Sequence, residues 1–113
     1  MIQSYAFGRM IVNDSLFTND LKIIDGRVIG SWRREGGHLV SVEDVGDILS
    51  AAPVVVVFGT GYYGRMRITP LLEKTLNRRN IEHVAQITSE ALRSFNRMVA
   101  EGRKVAGAFH LTC

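Results

Sequence analysis

Five apolar residues, Val54 to Phe58, run straight into Gly59-Thr60-Gly61, and Gly64 follows two tyrosines later. Four consecutive β-branched valines favour a strand, and the run is too short for a helix standing alone. It is apolar on both faces of the pleat. Such a strand needs cover above and below, so it belongs inside a sheet that lies between two other layers. The glycines then bring backbone without Cβ atoms to a sheet edge, where a ligand can approach amides closely.

Around this strand the chain divides into two halves. Residues 5–12 alternate with period two and carry apolar side chains on both faces, the pattern of a strand. Asn13-Asp14-Ser15 is turn chemistry, and Leu16-Phe17 begins a short return. Leu21, Ile23 and Ile24 lead into Asp25-Gly26, a hairpin signal, with residues 27–34 as the partner strand. The first third is expected to be an antiparallel β meander. Ser41 with Asp44 three residues on opens a helix with Val45, Ile48, Leu49 and Ala52 on one face, and Pro53 ends it. Thr69-Pro70 is a cap and first-turn pair for a second helix that buries Leu71, Leu72 and Leu76 and stops near Asn80. Residues 82–87 alternate as a strand. Thr88 or Ser89 caps a third helix with a stripe of Ala91, Leu92, Phe95, Met98 and Val99, closed by Gly102. Residues 104–111 form the last strand. The expected fold is therefore a mixed α+β / α/β domain: the antiparallel meander followed by an α-β-α-β-α-β half, in three layers.

A chain of 113 residues with 46% hydrophobic and 22% charged residues is expected to fold as one domain, residues 1–113, without metal or disulfide staples. The net charge of +3 is too small to point to nucleic acid, although eleven of the fourteen basic residues are Arg. Trp32-Arg33-Arg34 sets an aromatic beside cations, but neighbours in a strand point to opposite faces, so Trp32 and Arg33 make no single stacking platform. Cys113 is the only cysteine, which fits a reducing compartment. The first residues lack the basic and apolar regions of a signal peptide, and no apolar run reaches membrane-spanning length. A cytoplasmic location is expected, with no membrane partner.

Gly59, Gly61 and Gly64 match G-x-G-x-x-G, yet a dinucleotide site also needs a helix that starts within the motif and an acid at the end of the next strand. Here the helix start, Thr69-Pro70, comes after the last glycine, and the next strand ends Gln86-Ile87-Thr88. No Gly-Lys-Ser/Thr follows, so a Walker A loop is excluded. What remains is a small-anion site with loop amides, the Thr60 hydroxyl, and Arg65 and Arg67 as charges, set against glycines that simply allow a tight turn. If residues 54–58, 82–87 and 104–111 are parallel strands, their carboxyl ends share the edge where ligands bind in open α/β sheets. That edge gathers Gly59, Thr60, Gly61, Tyr62, Thr88, His110, Thr112 and Cys113. His110 and Cys113 do not make a base and nucleophile on their own, because no carboxylate lies nearby in sequence to orient the imidazole. Nor do they form a metal site, since His38 and His83 lie elsewhere.

Ala91-x-x-x-Phe95-Asn96, then Gly102-Arg103-x-Val105-Ala106 and Phe109-His110-Leu111-Thr112-Cys113, with Phe7-Gly8 early and Gly59-Thr60-Gly61 between, resembles the Mth-type domain family over nearly the whole chain. That family takes in uncharacterised archaeal and bacterial proteins, the adipogenesis-associated domain protein of animals and the mitochondrial complex I assembly factor 3 group. The resemblance implies a three-layer β and β/α domain, no established reaction, and a pocket near the glycine loop. Its mitochondrial branch acts by protein–protein association. Asn96 and Arg103 match family positions, and capping and ion pairing account for both. The expected function is a non-enzymatic interaction or assembly module, with another protein or a second copy as partner. The alternative is a binder of a small anion or metabolite, with or without catalysis, whose pocket is walled by Gly59, Thr60, Gly61, Tyr62, Arg65, Thr88, His110 and Cys113. Neither needs a cofactor, a metal or a catalytic residue.

Overall fold

The computed structural model describes residues 1–113 and has ten strands and three α-helices. A five-stranded sheet forms its middle layer. Its order is β5 (Arg27–Ile29), β4 (Leu21–Ile24), β10 (Val105–His110), β7 (Val55–Thr60), β9 (Glu82–Gln86). β7 pairs in parallel with β10 on one side and β9 on the other, and β4 runs antiparallel to β10. The expected parallel half is present, joined by α2 (Pro70–Arg78) and α3 (Thr88–Ala100).

Every residue of β7 and β10 is buried. Alternation along these strands builds two cores. Val56, Phe58, Ala106 and Ala108 face α1 (Gly46–Ala51), α2, Trp32 and Met66. Val55, Val57, Val105 and Phe109 face Ala91, Phe95 and Met98 of α3, together with Ile2, Met10 and Val12. The last three come from a second sheet, made of β1 (Ile2–Ala6), β2 (Arg9–Val12) and β3 (Ser15–Phe17). A two-stranded parallel ladder, β6 (Leu39–Val40) with β8 (Arg67–Ile68), completes the chain's strands.

Local chemistry accounts for most element ends. The Thr69 hydroxyl accepts the Leu72 amide at 3.2 Å, and Pro70 opens α2. The Asp44 carboxylate accepts the Ser41 amide and hydroxyl at 2.8 and 3.0 Å, fixing a 3-10 turn over Glu43–Val45 that runs into α1. Asn13-Asp14 and Asp25-Gly26 both take positive φ, as two-residue hairpins require.

Seven expectations are corrected. Neither Thr88 nor Ser89 caps α3, whose N-cap is Ile87 without a side-chain hydrogen bond. Ala52 is exposed in a left-handed cap after α1. Residues 5–12 are two strands and not one, because Gly8, at φ +78°, turns the chain between them. The meander is divided between two sheets, β1–β3 in one and β4–β5 in the other. The partner strand expected over 27–34 ends at Ile29. Leu71 and Val99 are exposed, since each sits one step off the buried stripe of its helix. The central strand does not end at Phe58: Gly59 and Thr60 continue the ladder opposite Phe109 and His110.

Gly59 and Gly107 make room for one ring. A Cβ on Gly59 would lie 2.7 Å from Phe109 Cδ1, and a Cβ on Gly107 would strike the same ring and Phe95. Phe95 and Phe109 pack edge to face at 5.7 Å. Gly107→Ala restrains the unfolded chain, an effect worth about 0.4–1 kcal/mol in its favour. Overpacking a close-fitted core costs about 1–3 kcal/mol. The second term wins, so this variant is expected to unfold at lower urea concentration with an unchanged slope; a midpoint equal to or above the parent's would refute the packing account.

Candidate functional site

The carboxyl ends of β7, β9 and β10 lie side by side, with Thr60 opposite His110 and Gly59 opposite Gln86. Of the residues expected there, Gly61, Thr88 and His110 meet. The Thr88 hydroxyl donates to the His110 carbonyl at 2.7 Å and accepts the Gly61 amide at 2.9 Å. Gly61, at φ +104°, passes so close to His110 that a Cβ would stand 2.7 Å from its Cδ2. The Tyr62 amide donates to the Thr112 carbonyl at 2.9 Å. The amides of Gly61 and Tyr62 are thus already spent, the first on the start of α3 and the second on the segment after β10. Thr60 is buried, its carbonyl accepting the Met66 amide. Arg65 projects outward, its guanidinium 6.0 Å from the Tyr63 ring centre. Cys113 is half-buried beside Gly61, and its thiol is not among the polar partners of His110.

Two residues absent from the sequence-based set complete the site. His110 Nδ1–H donates to Asp20 Oδ2 at 2.7 Å, and Asp20 Oδ1 accepts the Leu111 amide at 2.7 Å. Arg34 Nη2 donates to the same Asp20 Oδ2 at 2.8 Å and lies 3.2 Å from His110 Nδ1. Arg34 is itself held: its Nε donates to the Gly37 carbonyl at 2.6 Å and its guanidinium stacks 4.5 Å over Trp32. The Trp32 indole donates to the Asp44 carbonyl at 2.9 Å. The side chains of Arg34 and His110 are only 6% and 7% exposed. Within the chain, Arg34 Nη1 and His110 Nε2 find no hydrogen-bond partner.

Burial alone would raise the Asp20 carboxyl, but the hydrogen bonds from His110, the Leu111 amide and Arg34 outweigh it and hold it below the usual carboxylate range. Burial, with Tyr62 and Asp20 nearby, pushes the Tyr5 phenol up to about 12. Tyr5 therefore stays a neutral donor to the Leu111 carbonyl, at 2.8 Å. Asp20 is 90 positions from His110 and Arg34 is 76. The only local signals were Asp20 directly before the apolar Leu21 and Arg34 within the charged run Arg33-Arg34-Glu35 after Trp32.

The outer surface of the site is aromatic. Phe7 meets Tyr62 edge on at 5.7 Å, Tyr62 meets Tyr63 at 5.0 Å, and Tyr5 lies 6.5 Å from Tyr62. The Gly8 amide donates to the Leu111 carbonyl at 2.8 Å, which ties the β1–β2 turn to the end of β10. Asn96 and Arg103 lie elsewhere. The Asn96 amide brackets the backbone of Ile2, accepting from its N–H at 2.9 Å and donating to its carbonyl at 2.7 Å, so it clamps β1 and caps nothing. Arg103 pairs with Glu82 at 3.0 Å. No group of His, Cys, Asp and Glu has the arrangement of a metal site, and no helix is long and apolar enough to cross a membrane.

Comparison with known proteins places this architecture. The family described as "Protein of unknown function (DUF498/DUF598)" matches residues 2–110. The conserved hypothetical protein PH1505 from Pyrococcus horikoshii is 24% identical, with a TM-score of 0.88 over 100% of this chain and 99% of its own. A Bordetella parapertussis protein is 26% identical, with a TM-score of 0.81 over 98% of this chain and 94% of its own. A Bordetella pertussis protein described as a Mth938-like domain is 20% identical, with a TM-score of 0.70 over 98% of this chain and 85% of its own. These likenesses agree with the Mth-type fold expected from the motifs.

A carboxyl held low in the folded state contributes stability above its unfolded value, and that contribution is lost as pH falls through the folded value. Asp20→Asn is therefore expected to cost about 3 kcal/mol at neutral pH, where it leaves Arg34 and His110 buried without their anion. The gap between parent and variant should close as the pH drops below about 3.9, the unfolded carboxyl value. Urea midpoints from pH 7 to pH 3 check this, and a gap that stays constant across the range would remove Asp20 as the acid-sensitive group.

Proposed function

With the chain a member of the DUF498/DUF598 family of unknown function, we propose that it acts as a non-catalytic docking module for an acidic protein partner. The contact surface is the aromatic patch at the carboxyl edge of the five-stranded sheet. The observation that carries this reading is that Phe7, Tyr62 and Tyr63 pack on one another while staying 50%, 49% and 64% exposed. Apolar surface left in water forgoes about 25 cal/mol per Å², and a partner can recover it. Tyrosine is among the residues that dominate interface energies, because it offers a large contact at little entropy cost.

Two further features support the reading. The patch is held in place by the Gly8-to-Leu111 and Tyr62-to-Thr112 backbone hydrogen bonds, so little ordering remains to be done on binding. Arg65 beside Tyr63 makes its rim basic, and the chain carries a net charge of +3. A second copy would set like charge against like, whereas an acidic segment is complementary. Against catalysis, the Asp20–His110 pair has no hydroxyl or thiol nucleophile among its partners.

Affinity capture from the native host, followed by reconstitution from purified components, tests the proposal. The reconstituted complex is expected to weaken at least tenfold in Tyr62→Ala and in Phe7→Ala, to weaken with added salt, and to be unaffected by Lys74→Ala on α2. Both patch residues are exposed, so folding should survive their loss. A complex indifferent to the patch variants, or self-association of the pure chain through the patch, would overturn it.

A further inference from the structure

We infer that the buried Asp20–Arg34–His110 cluster is a binding site for a small oxyanion of the carboxylate or phosphate type, held between Arg34 Nη1 and His110 Nε2. The aromatic patch plays no part in it. Each of these nitrogens belongs to a side chain more than nine-tenths buried, and neither has a partner in the chain. A buried polar group left unpaired costs about 1–3 kcal/mol, more for a charged one, so two of them in one cluster point to something that satisfies both. They belong to the two groups that already meet at 3.2 Å, through Arg34 Nη2 and His110 Nδ1.

The chemistry of the ligand follows from what is already spent. Asp20 is the cluster's only carboxylate, and both its oxygens are occupied: Oδ1 by the Leu111 amide, Oδ2 by Arg34 and His110. Because a carboxylate only accepts, Nδ1 of His110 must carry the proton in that contact. Arg34 Nη1 has only N–H to offer. An oxyanion supplies the acceptor that Arg34 Nη1 lacks, and it meets His110 Nε2 through a proton carried either on that nitrogen or on the ligand. The groups around the His110 ring are Asp20, Arg34, the His38 ring at 5.4 Å between centres, and the backbone of Gly61 with the Thr112 and Cys113 oxygens alongside. None of the neighbouring side chains other than Asp20 is acidic. Gly61 matters here through its missing Cβ, since any side chain would fall on the Cδ2–Nε2 side of the ring. A polar cleft of about 310 Å³ opens beside the cluster, lined by Asp20, Trp32, Arg33 and Thr112 and not by Arg34 or His110 themselves.

Long-range ¹H–¹⁵N NMR of the three histidine side chains reads the site directly, with sodium formate and inorganic phosphate titrated separately against sodium chloride at constant ionic strength and pH. The expected result is a saturable shift of the His110 Nε2 signal with at least one of the two oxyanions. His83 should stay still. Affinity should fall at least tenfold in Arg34→Gln and be retained in Arg33→Gln, its exposed neighbour. Should Arg34→Gln fail to fold, Arg34→Lys, which keeps the charge and loses the fork, is read in the same way. No saturable shift with either ion means that water alone satisfies the two nitrogens, and the inference falls. It falls equally if the Arg34 variant binds as tightly as the parent.

Discussion

The parallel pairing of β7 with β10 is the interaction from which the rest of the molecule is built. Twelve residues in two adjacent strands are all buried, and their alternation hands one set of side chains to α1 and α2 and the other to α3 and the small sheet. A strand pair apolar on both faces cannot be stable with one face bare. Both outer layers are therefore obligatory. The register also decides the site: Thr60 stands opposite His110, so the glycine turn leaving β7 must cross the imidazole. Phe109 fits because both flanking backbones, at Gly59 and Gly107, give way to its ring.

On this frame Asp20 joins three pieces of chain. Its carboxylate accepts from the Leu111 backbone, the His110 ring and Arg34 Nη2, while its backbone carbonyl accepts the Trp32 amide. Charge-assisted bonds of this kind are about twice as strong as neutral ones, but taking the ions out of water costs nearly as much as their attraction returns. Such a cluster therefore fixes geometry more than it adds stability. It determines where the loop after β5 lies, because Arg34 is held by Asp20, Gly37 and the face of Trp32 together.

The elements written in local sequence were legible. The valine run, the Thr69-Pro70 cap, the Asp25-Gly26 hairpin and the Ala91–Phe95–Met98 stripe each state their structure within a few residues. Misreadings came where one local pattern fitted two structures. Alternation across residues 5–12 holds for one long strand and for two short ones, and only Gly8 distinguishes them. At the site, the sharing of an edge by Thr60, Thr88 and His110 followed from strand order. Asp20 and Arg34 did not, since neither a single acid before a strand nor one arginine in a charged run carries a sign of what it will meet 90 or 76 positions away. G-x-G-x-x-G was the most conspicuous motif, yet the first glycine serves core packing and the second a close approach to His110.

The clamp on β1 has a consequence for how the chain is made. Ile2 is satisfied at both backbone groups by Asn96, Gly8 by Leu111 and Asp20 by the β10 end, all separations of about 90 residues or more. The strands β1–β3 pair with one another, but the anchors of their sheet come only from α3 and the end of β10. Closing such long loops before any contact rewards it makes folding slow, and the exposed edge of the early hairpin is meanwhile open to wrong pairings. The small sheet and the β10 end are thus coupled, and loss of β10 would leave the Gly8 turn without its anchor.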